Sequence, residues 1–151
     1  MQKIFMKKIY IAYGSNMDEK QMQLRCPDAK LIGKGKLKGW RLMFKGSLSG
    51  NYATIERDEN YEVPILLWKI SATDEKKLDR YEGCPHFYYK RNIEIEMEDG
   101  KTVKGMVYIM HEERKLGLPS AHYYKILSDA YEKFEFDLKI LKEAKNFSDR
   151  N

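Results

Sequence analysis

The sequence predicts an α+β fold: a mixed β-sheet, curled and barrel-like, with a few flanking helices. Three observations lead there. About six segments alternate apolar and polar residues, or stay apolar over strand length. Helical patterns are few and scattered, which does not fit a regular βαβ array. Leu66-Leu67-Trp68 is apolar on both faces, as a strand covered on both sides requires. With 151 residues the chain has the size of one domain, expected to span 1–151 with a tail that frays from about residue 146.

The first strand is Lys8-Ile9-Tyr10-Ile11-Ala12-Tyr13, rich in β-branched and aromatic residues. Gly14-Ser15-Asn16-Met17 then turns the chain. Gly14 permits positive φ and close backbone approach, and Asn16 tolerates the left-handed region. Asp18 can cap the helix that follows, with Gln21 reaching back to it. That helix runs to about Arg25 with Met22 and Leu24 inward, and Pro27 ends it. A strand turning this tightly into a helix aims several backbone N–H groups at one spot, which suits a carboxylate or an oxyanion. An ordinary βα turn is the plainer reading of the same stretch.

Residues 30–39 are punctuated by glycine and read as a bent strand, and Trp40, Leu42 and Phe44 share one face of the next segment. Residues 52–55 and 63–70 are two further strand candidates. Ser71-Ala72-Thr73-Asp74 offers caps for a short helix carrying Leu78 and Tyr81, which Gly83 and Pro85 terminate. Glu82 therefore falls in the last turn, where the helix dipole already places partial negative charge and a solvated acid is disfavoured. Residues 89–95 and 103–110 flank Asp99-Gly100, a hairpin signal with a primed turn. Ser120 can cap a final helical region in which Tyr123, Leu127, Ala130, Phe134, Leu138 and Leu141 follow helical spacing. It forms either one helix or two broken near Phe136.

Composition narrows the function classes. The apolar fraction is 42%, and no apolar run approaches membrane-spanning length. The start lacks the apolar core of a signal peptide, and Met6 is an alternative to Met1 as the first residue. Two cysteines, Cys26 and Cys84, show no metal-ligand spacing and suit a reduced, cytoplasmic setting. The net charge of +5 is concentrated in Lys30, Lys34, Lys36, Lys38, Arg41 and Lys45, with no acid among them. Such a stretch can bind nucleic acid, or it can be a solvated strand face whose lysines guard an edge. No nucleic-acid motif accompanies it, which favours the second reading.

Familiar catalytic patterns are missing. His86, His111 and His122 lack metal spacing. Ser15 is not in a Gly-x-Ser-x-Gly elbow. Cys84 and His86, two apart in an extended stretch, point to opposite sides. No Walker or dinucleotide fingerprint is present. There remain a turn rich in N–H donors and one oddly placed acid, Glu82.

Together these two features resemble a known family. Tyr10-Ile11-Ala12-Tyr13-Gly14-Ser15-Asn16-Met17, then Tyr52-Ala53-Thr54-Ile55, Leu78-Asp79-Arg80-Tyr81-Glu82-Gly83 and Tyr108-Ile109-Met110 are similar in order and spacing to the γ-glutamylcyclotransferase-like superfamily. Pro119-Ser120 with Tyr123 and Lys125 extends the likeness, which covers residues 8–128. The resemblance implies a small mixed α/β barrel with a cavity, no cofactor, and a small-molecule γ-glutamyl substrate converted to 5-oxoproline. It implies that Tyr10, Ile11, Ala12, Tyr13, Gly14, Ser15 and Asn16 line the substrate site, that Tyr108 and Tyr123 help shape it, and that Glu82 is the catalytic acid/base. A monomer or homodimer is expected, with no membrane partner. The Cys84-Pro85-His86-Phe87-Tyr88 stretch and the lysine-rich segment depart from the pattern, which leaves the leaving amine open. Two other readings stand beside it: a binding module of the same fold without turnover, and a nucleic-acid-binding domain using the basic stretch.

Overall fold

A computed structural model describes residues 7–150, so the choice between Met1 and Met6 as the start lies outside the described residues. Strands β1 (Lys8–Ala12), β2 (Lys30–Ser47), β3 (Gly50–Ile70), β4 (Tyr88–Met97) and β5 (Thr102–Met110) run in the order β3-β1-β5-β4-β2, and β2 pairs back onto β3. The five strands thus close into a barrel. A short strand β6 (Lys115–Leu116) adds to β2 at its outer end. All pairings are antiparallel except β1 with β5, which meet in parallel at Tyr10↔Met106. This mixed barrel is the curled sheet expected.

The two strand candidates at 52–55 and 63–70 are parts of one long strand, β3, hairpinned to the equally continuous β2. Their register jumps from Lys38↔Glu62 to Trp40↔Arg57, so residues 58–61 leave the ladder opposite Gly39, which sits at φ 84. That excursion supplies the bend, as bulges do. Leu66, Leu67 and Trp68 are buried on both faces of β3, and Gly105 to Met110 are buried throughout β5. At Gly105 a side chain would meet Ile11 at 2.9 Å, so the glycine lets β1 and β5 come together.

Helix α1 (Glu19–Arg25) buries Met22, but Leu24 is 84% exposed. Positions two apart lie on different faces of a helix, so both cannot point inward. Asp18 caps α1 by accepting from the Lys20 N–H at 3.0 Å; Gln21 takes no part and instead accepts from Arg25. Helix α2 (Ala72–Glu82) begins in a reciprocal capping box between Ser71 and Asp74 and ends at Gly83, φ 63. The β4–β5 turn is not a primed one. The Gly100 N–H bonds the Met97 carbonyl at 3.0 Å and only Gly100, at φ 87, is left-handed, which makes a three-residue loop with a glycine bulge.

The final helical region is two helices, α3 (Ala121–Lys133) and α4 (Leu138–Ser148), broken where Glu135 takes φ 60. The tail does not fray from Asn146. Ser148 is fully buried; its Oγ accepts the Phe44 N–H at 2.8 Å and donates to the Ala144 carbonyl at 2.8 Å. A hydroxyl that satisfies a strand amide and its own helix is a stronger tether than hydropathy shows.

The basic stretch is largely neutralised. Lys36 pairs with Glu62 at 3.5 Å, Lys38 with Glu96 at 3.1 Å and Arg41 with Asp58 at 3.9 Å. Lys45 pairs with Glu56, and Lys34 donates to the Phe134 carbonyl at the end of α3. The acids lie on partner strands, invisible to a reading confined to residues 30–45. Among the described residues no helix is long and apolar enough to cross a membrane.

Candidate active site

A cavity of about 400 Å³ opens where β1, the turn after it, the end of α2 and the start of α3 converge. Tyr10, Ile11, Tyr13, Gly14, Ser15 and Asn16 line one side, and Arg80, Tyr81, Glu82 and Gly83 another. Ser49, Tyr52, Ala53, Phe87, Tyr88, Tyr108 and Tyr123 complete it. Every residue singled out from sequence is there except Ala12. In register with Leu66 and 1% exposed, Ala12 is enclosed within the sheet, and its methyl does not reach the cavity wall.

After β1 the chain makes one 3₁₀ turn, Ser15–Met17, closed by Met17 N–H to Gly14 O and Asp18 N–H to Ser15 O, both at 3.0 Å. Among the described residues no hydrogen bond engages the amides of Gly14, Ser15 or Asn16, as expected at a helix start. Neither Gly14 (φ −124) nor Asn16 uses the left-handed region. What Gly14 provides is room: a Cβ there would lie 3.3 Å from the Tyr123 hydroxyl and 3.4 Å from Ala53. Asn16 is a fastener. It donates to the Tyr10 hydroxyl at 2.9 Å, accepts from Arg25, and its carbonyl accepts the Trp68 indole N–H at 3.1 Å.

Tyrosines frame the rest. The Tyr13 hydroxyl donates to the Tyr108 carbonyl at 2.7 Å, and the Tyr88 hydroxyl to the Ala53 carbonyl at 2.8 Å. The Ala53 N–H donates to the Tyr123 hydroxyl at 3.1 Å. Both backbone groups of Ala53 are therefore held by tyrosines from distant elements. Burial pushes the hydroxyls of Tyr10, Tyr13, Tyr88, Tyr108 and Tyr123 upward, so all stay neutral.

Two acids sit three residues apart near the end of α2 and have opposite surroundings. Asp79 accepts from the Tyr108 hydroxyl at 2.5 Å and pairs with Lys90 at 3.0 Å. Glu82 is half-buried and lines the cavity, and among the described residues its carboxyl makes no hydrogen bond or ion pair. Burial pushes its carboxyl up to about 7, against the pull of the Arg25 guanidinium. Arg25 is itself held by Asn16, by Gln21 at 2.6 Å and by the Tyr81 hydroxyl at 2.7 Å, with Tyr81's ring 3.7 Å away. A carboxyl poised near neutrality beside free amides can take up and return a proton while the amides stabilise an oxyanion.

The Cys84 thiol is held protonated by burial, reinforced by Asp79, and His86 is exposed. His111 engages the Pro85 carbonyl at 2.7 Å. Among the described residues no group of histidine, cysteine and acid side chains is placed to hold a metal. Sequence patterning did not single out Ser49, Tyr52, Arg80, Phe87 or Tyr88 as site residues. Tyr52 and Arg80 stand in segments that carry the family resemblance, and the aromatic run Phe87-Tyr88-Tyr89 just past Pro85 is the signal for Phe87 and Tyr88.

Fold and site together define a class: a small mixed barrel enclosing a cavity lined by one carboxyl, a turn of amides and a frame of tyrosines. Comparison gives the family. The model of the family described as gamma-glutamyl cyclotransferase, AIG2-like, matches residues 10–133, and the chain belongs to that family. Gamma-glutamylcyclotransferase from Homo sapiens is 28% identical over 127 residues, 79% of this chain and 67% of the relative, and the Bos taurus protein of the same name matches to the same extent. A solved structure of a gamma-glutamyl cyclotransferase superposes with a TM-score of 0.84 at 25% identity, over 93% of this chain and 87% of the other.

Proposed function

We propose that this chain converts a γ-glutamyl amide to 5-oxoproline and a free amine, with Glu82 as the acid/base. The observation that carries the reading is Glu82 itself: a cavity-lining carboxyl without a partner among the described residues, pushed by burial up to about 7, in the same cavity as a turn whose amides make no hydrogen bond among those residues. Family membership and the names of the relatives support the reaction class.

The substrate brings its own nucleophile. Its α-amine attacks its γ-carbonyl, a C–N bond forms in a five-membered lactam, and the original amide C–N bond breaks. Intramolecular attack in a held geometry reaches effective molarities on the order of 10⁵ M. Glu82 takes the proton given up by the α-ammonium and returns one to the leaving amine. The amides of Gly14, Ser15 and Asn16 take the substrate's negative charge. The tyrosine frame holds the glutamyl chain folded and excludes water.

The test is a panel of γ-glutamyl amino acids, amines and peptides assayed for 5-oxoproline, with the reaction run in ¹⁸O-labelled water. Cyclisation yields unlabelled 5-oxoproline, and acetylating the substrate α-amine stops it. Glutamate carrying one heavy oxygen as the first product, or rapid cleavage of the N-acetylated substrate, overturns the proposal.

A further inference from the structure

Of the five tyrosine hydroxyls that frame the cavity, three commit their hydrogens to the protein: Tyr13 to the Tyr108 carbonyl, Tyr88 to the Ala53 carbonyl and Tyr108 to Asp79. The hydroxyls of Tyr10 and Tyr123 accept instead, from Asn16 at 2.9 Å and from the Ala53 amide at 3.1 Å. Among the described residues neither has an acceptor for its own hydrogen. At Tyr10 this polarity is imposed by a chain of side chains. A guanidinium can only donate, so the atom of Asn16 that meets Arg25 is its carbonyl oxygen. The Asn16 nitrogen is thereby turned onto Tyr10, whose oxygen must accept and whose hydrogen is released. Gln21 and the Tyr81 hydroxyl hold the same guanidinium in place. Tyr10 and Asn16 are both buried, where water does not compete for these bonds.

The released hydrogen lies near the acid. Burial raises the Tyr10 and Tyr13 hydroxyls, and the Glu82 charge is the next largest cause for both. Of that pair only Tyr10 has a hydrogen to give. Tyr10 and Glu82 line the same cavity and make no hydrogen bond to each other among the described residues, which leaves the hydrogen for a ligand. Resting on the cyclisation reading above, we infer that the Tyr10 hydroxyl donates to the substrate's γ-carbonyl oxygen as it becomes an oxyanion, and that Arg25 and Asn16 are positioning residues that fix this hydroxyl as a donor. The chemistry selects that oxygen. In the tetrahedral intermediate the α-nitrogen, the leaving nitrogen and the oxyanion are bonded to one carbon. An acid/base that serves both nitrogens therefore brings a neighbouring hydroxyl within reach of the oxygen. No proton leaves Tyr10; its hydrogen bond strengthens as the oxygen gains charge, and a donor set by the fold needs no reorganisation at that moment. The Asn16 side chain then acts on the reaction without touching the substrate.

The test compares Tyr10→Phe, Asn16→Asp and the double variant on the γ-glutamyl amide that wild type cyclises fastest, using plateau values taken above the pH limb of Glu82. Melting curves and ligand calorimetry report that each variant is folded. Tyr10→Phe keeps the ring and loses the donor. It should lower kcat on the order of 10²-fold with KM little changed, the usual result of removing one oxyanion donor. Asn16→Asp is nearly isosteric, but a carboxylate accepts on both sides, so it keeps Arg25 and draws the Tyr10 hydrogen away from the cavity. Its kcat should fall to a similar extent, and the double variant should fall no further than the worse single one. A folded Tyr10→Phe with wild-type kcat, a loss confined to KM, or single losses that multiply in the double variant overturns the inference while cyclisation stands. If Asn16→Asp does not fold, the kcat and KM of Tyr10→Phe decide alone. A wild type that makes no 5-oxoproline from any γ-glutamyl amide fails the reaction reading, and the role of Tyr10 falls with it.

Discussion

The outer face of β2 and the cavity both carry charge, and they treat it in opposite ways. Along β2 the cations meet acids from neighbouring strands: Lys36 with Glu62, Lys38 with Glu96, Lys45 with Glu56. In the cavity the Glu82 carboxyl has no hydrogen-bond or ion-pair partner among the described residues. Pairing makes a charge inert, since each group's field is cancelled within the protein. An unpaired charge in a concave, aromatic site has a field left to act on a ligand, and its protonation becomes sensitive to burial. Net charge per segment therefore leaves two readings of residues 30–45 side by side where the partner strands are unknown. Local pairing is what separates the two regions.

The sharpest way to break the contrast is to remove the cavity carboxylate. Glu82→Gln should lower kcat by on the order of 10³-fold while substrate still binds by calorimetry, because the near-isosteric amide cannot move protons. The same variant tests the electrostatics. The carboxyl titrates at about 7 in the fold against 4.5 ordinarily, so the native state holds the proton more tightly than the unfolded chain. Wild type thus loses stability as pH rises from 4.5 to 7, a loss Gln does not share. Melting temperatures should favour Glu82→Gln at pH above 7 and converge at low pH.

A smaller effect is expected on the other side of the cavity. Gly14→Val should weaken γ-glutamyl ligand binding by about tenfold to a hundredfold, since a β-branched side chain must displace the Tyr123 hydroxyl. Ser15→Ala should cost less. Titration calorimetry on folded protein decides between them, and undiminished binding by Gly14→Val would move the cradle elsewhere.

Smaller still is the shift expected from Arg25. Free-enzyme kcat/KM should rise with pH and level off above about 7 as Glu82 loses its proton. The Arg25 guanidinium favours the carboxylate, so Arg25→Met should move that limb to higher pH. An unmoved limb would mean that Arg25 serves only to hold Asn16 and Tyr81. The smallest effect belongs to β2: Lys38→Ala breaks an exposed pair and should change unfolding free energy by less than about 0.5 kcal/mol, with kinetics unaltered.

What was legible in the sequence follows the same division between local and distant. The α2 caps, the β4–β5 hairpin and the short strand before Gly14 rest on neighbours within a few residues, and each is present in the fold. Glu82 stood out because its clash with the helix dipole is local as well. The closure of the barrel depends on one parallel bridge, Tyr10↔Met106, and on an excursion at 58–61 that only the partner strand defines. The tyrosine frame joins residues as far apart as Tyr13 and Tyr108, 95 positions along the chain. Arg25 is one arginine among several as a letter; only its neighbours in space mark it as the fastener of Asn16, Gln21 and Tyr81.

Ser148 has a practical consequence. A boundary drawn from hydropathy would trim the chain near Asn146 and remove the hydroxyl that receives the Phe44 amide. Phe44 stands opposite Ala53 across the hairpin, and Ala53 holds Tyr88 and Tyr123 through its carbonyl and amide. Such a shortened chain should fold less firmly and lose substrate affinity, though nothing removed lies in the cavity. An affinity handle or fusion partner is better joined beyond Arg150, through a flexible spacer that leaves the last turn of α4 seated.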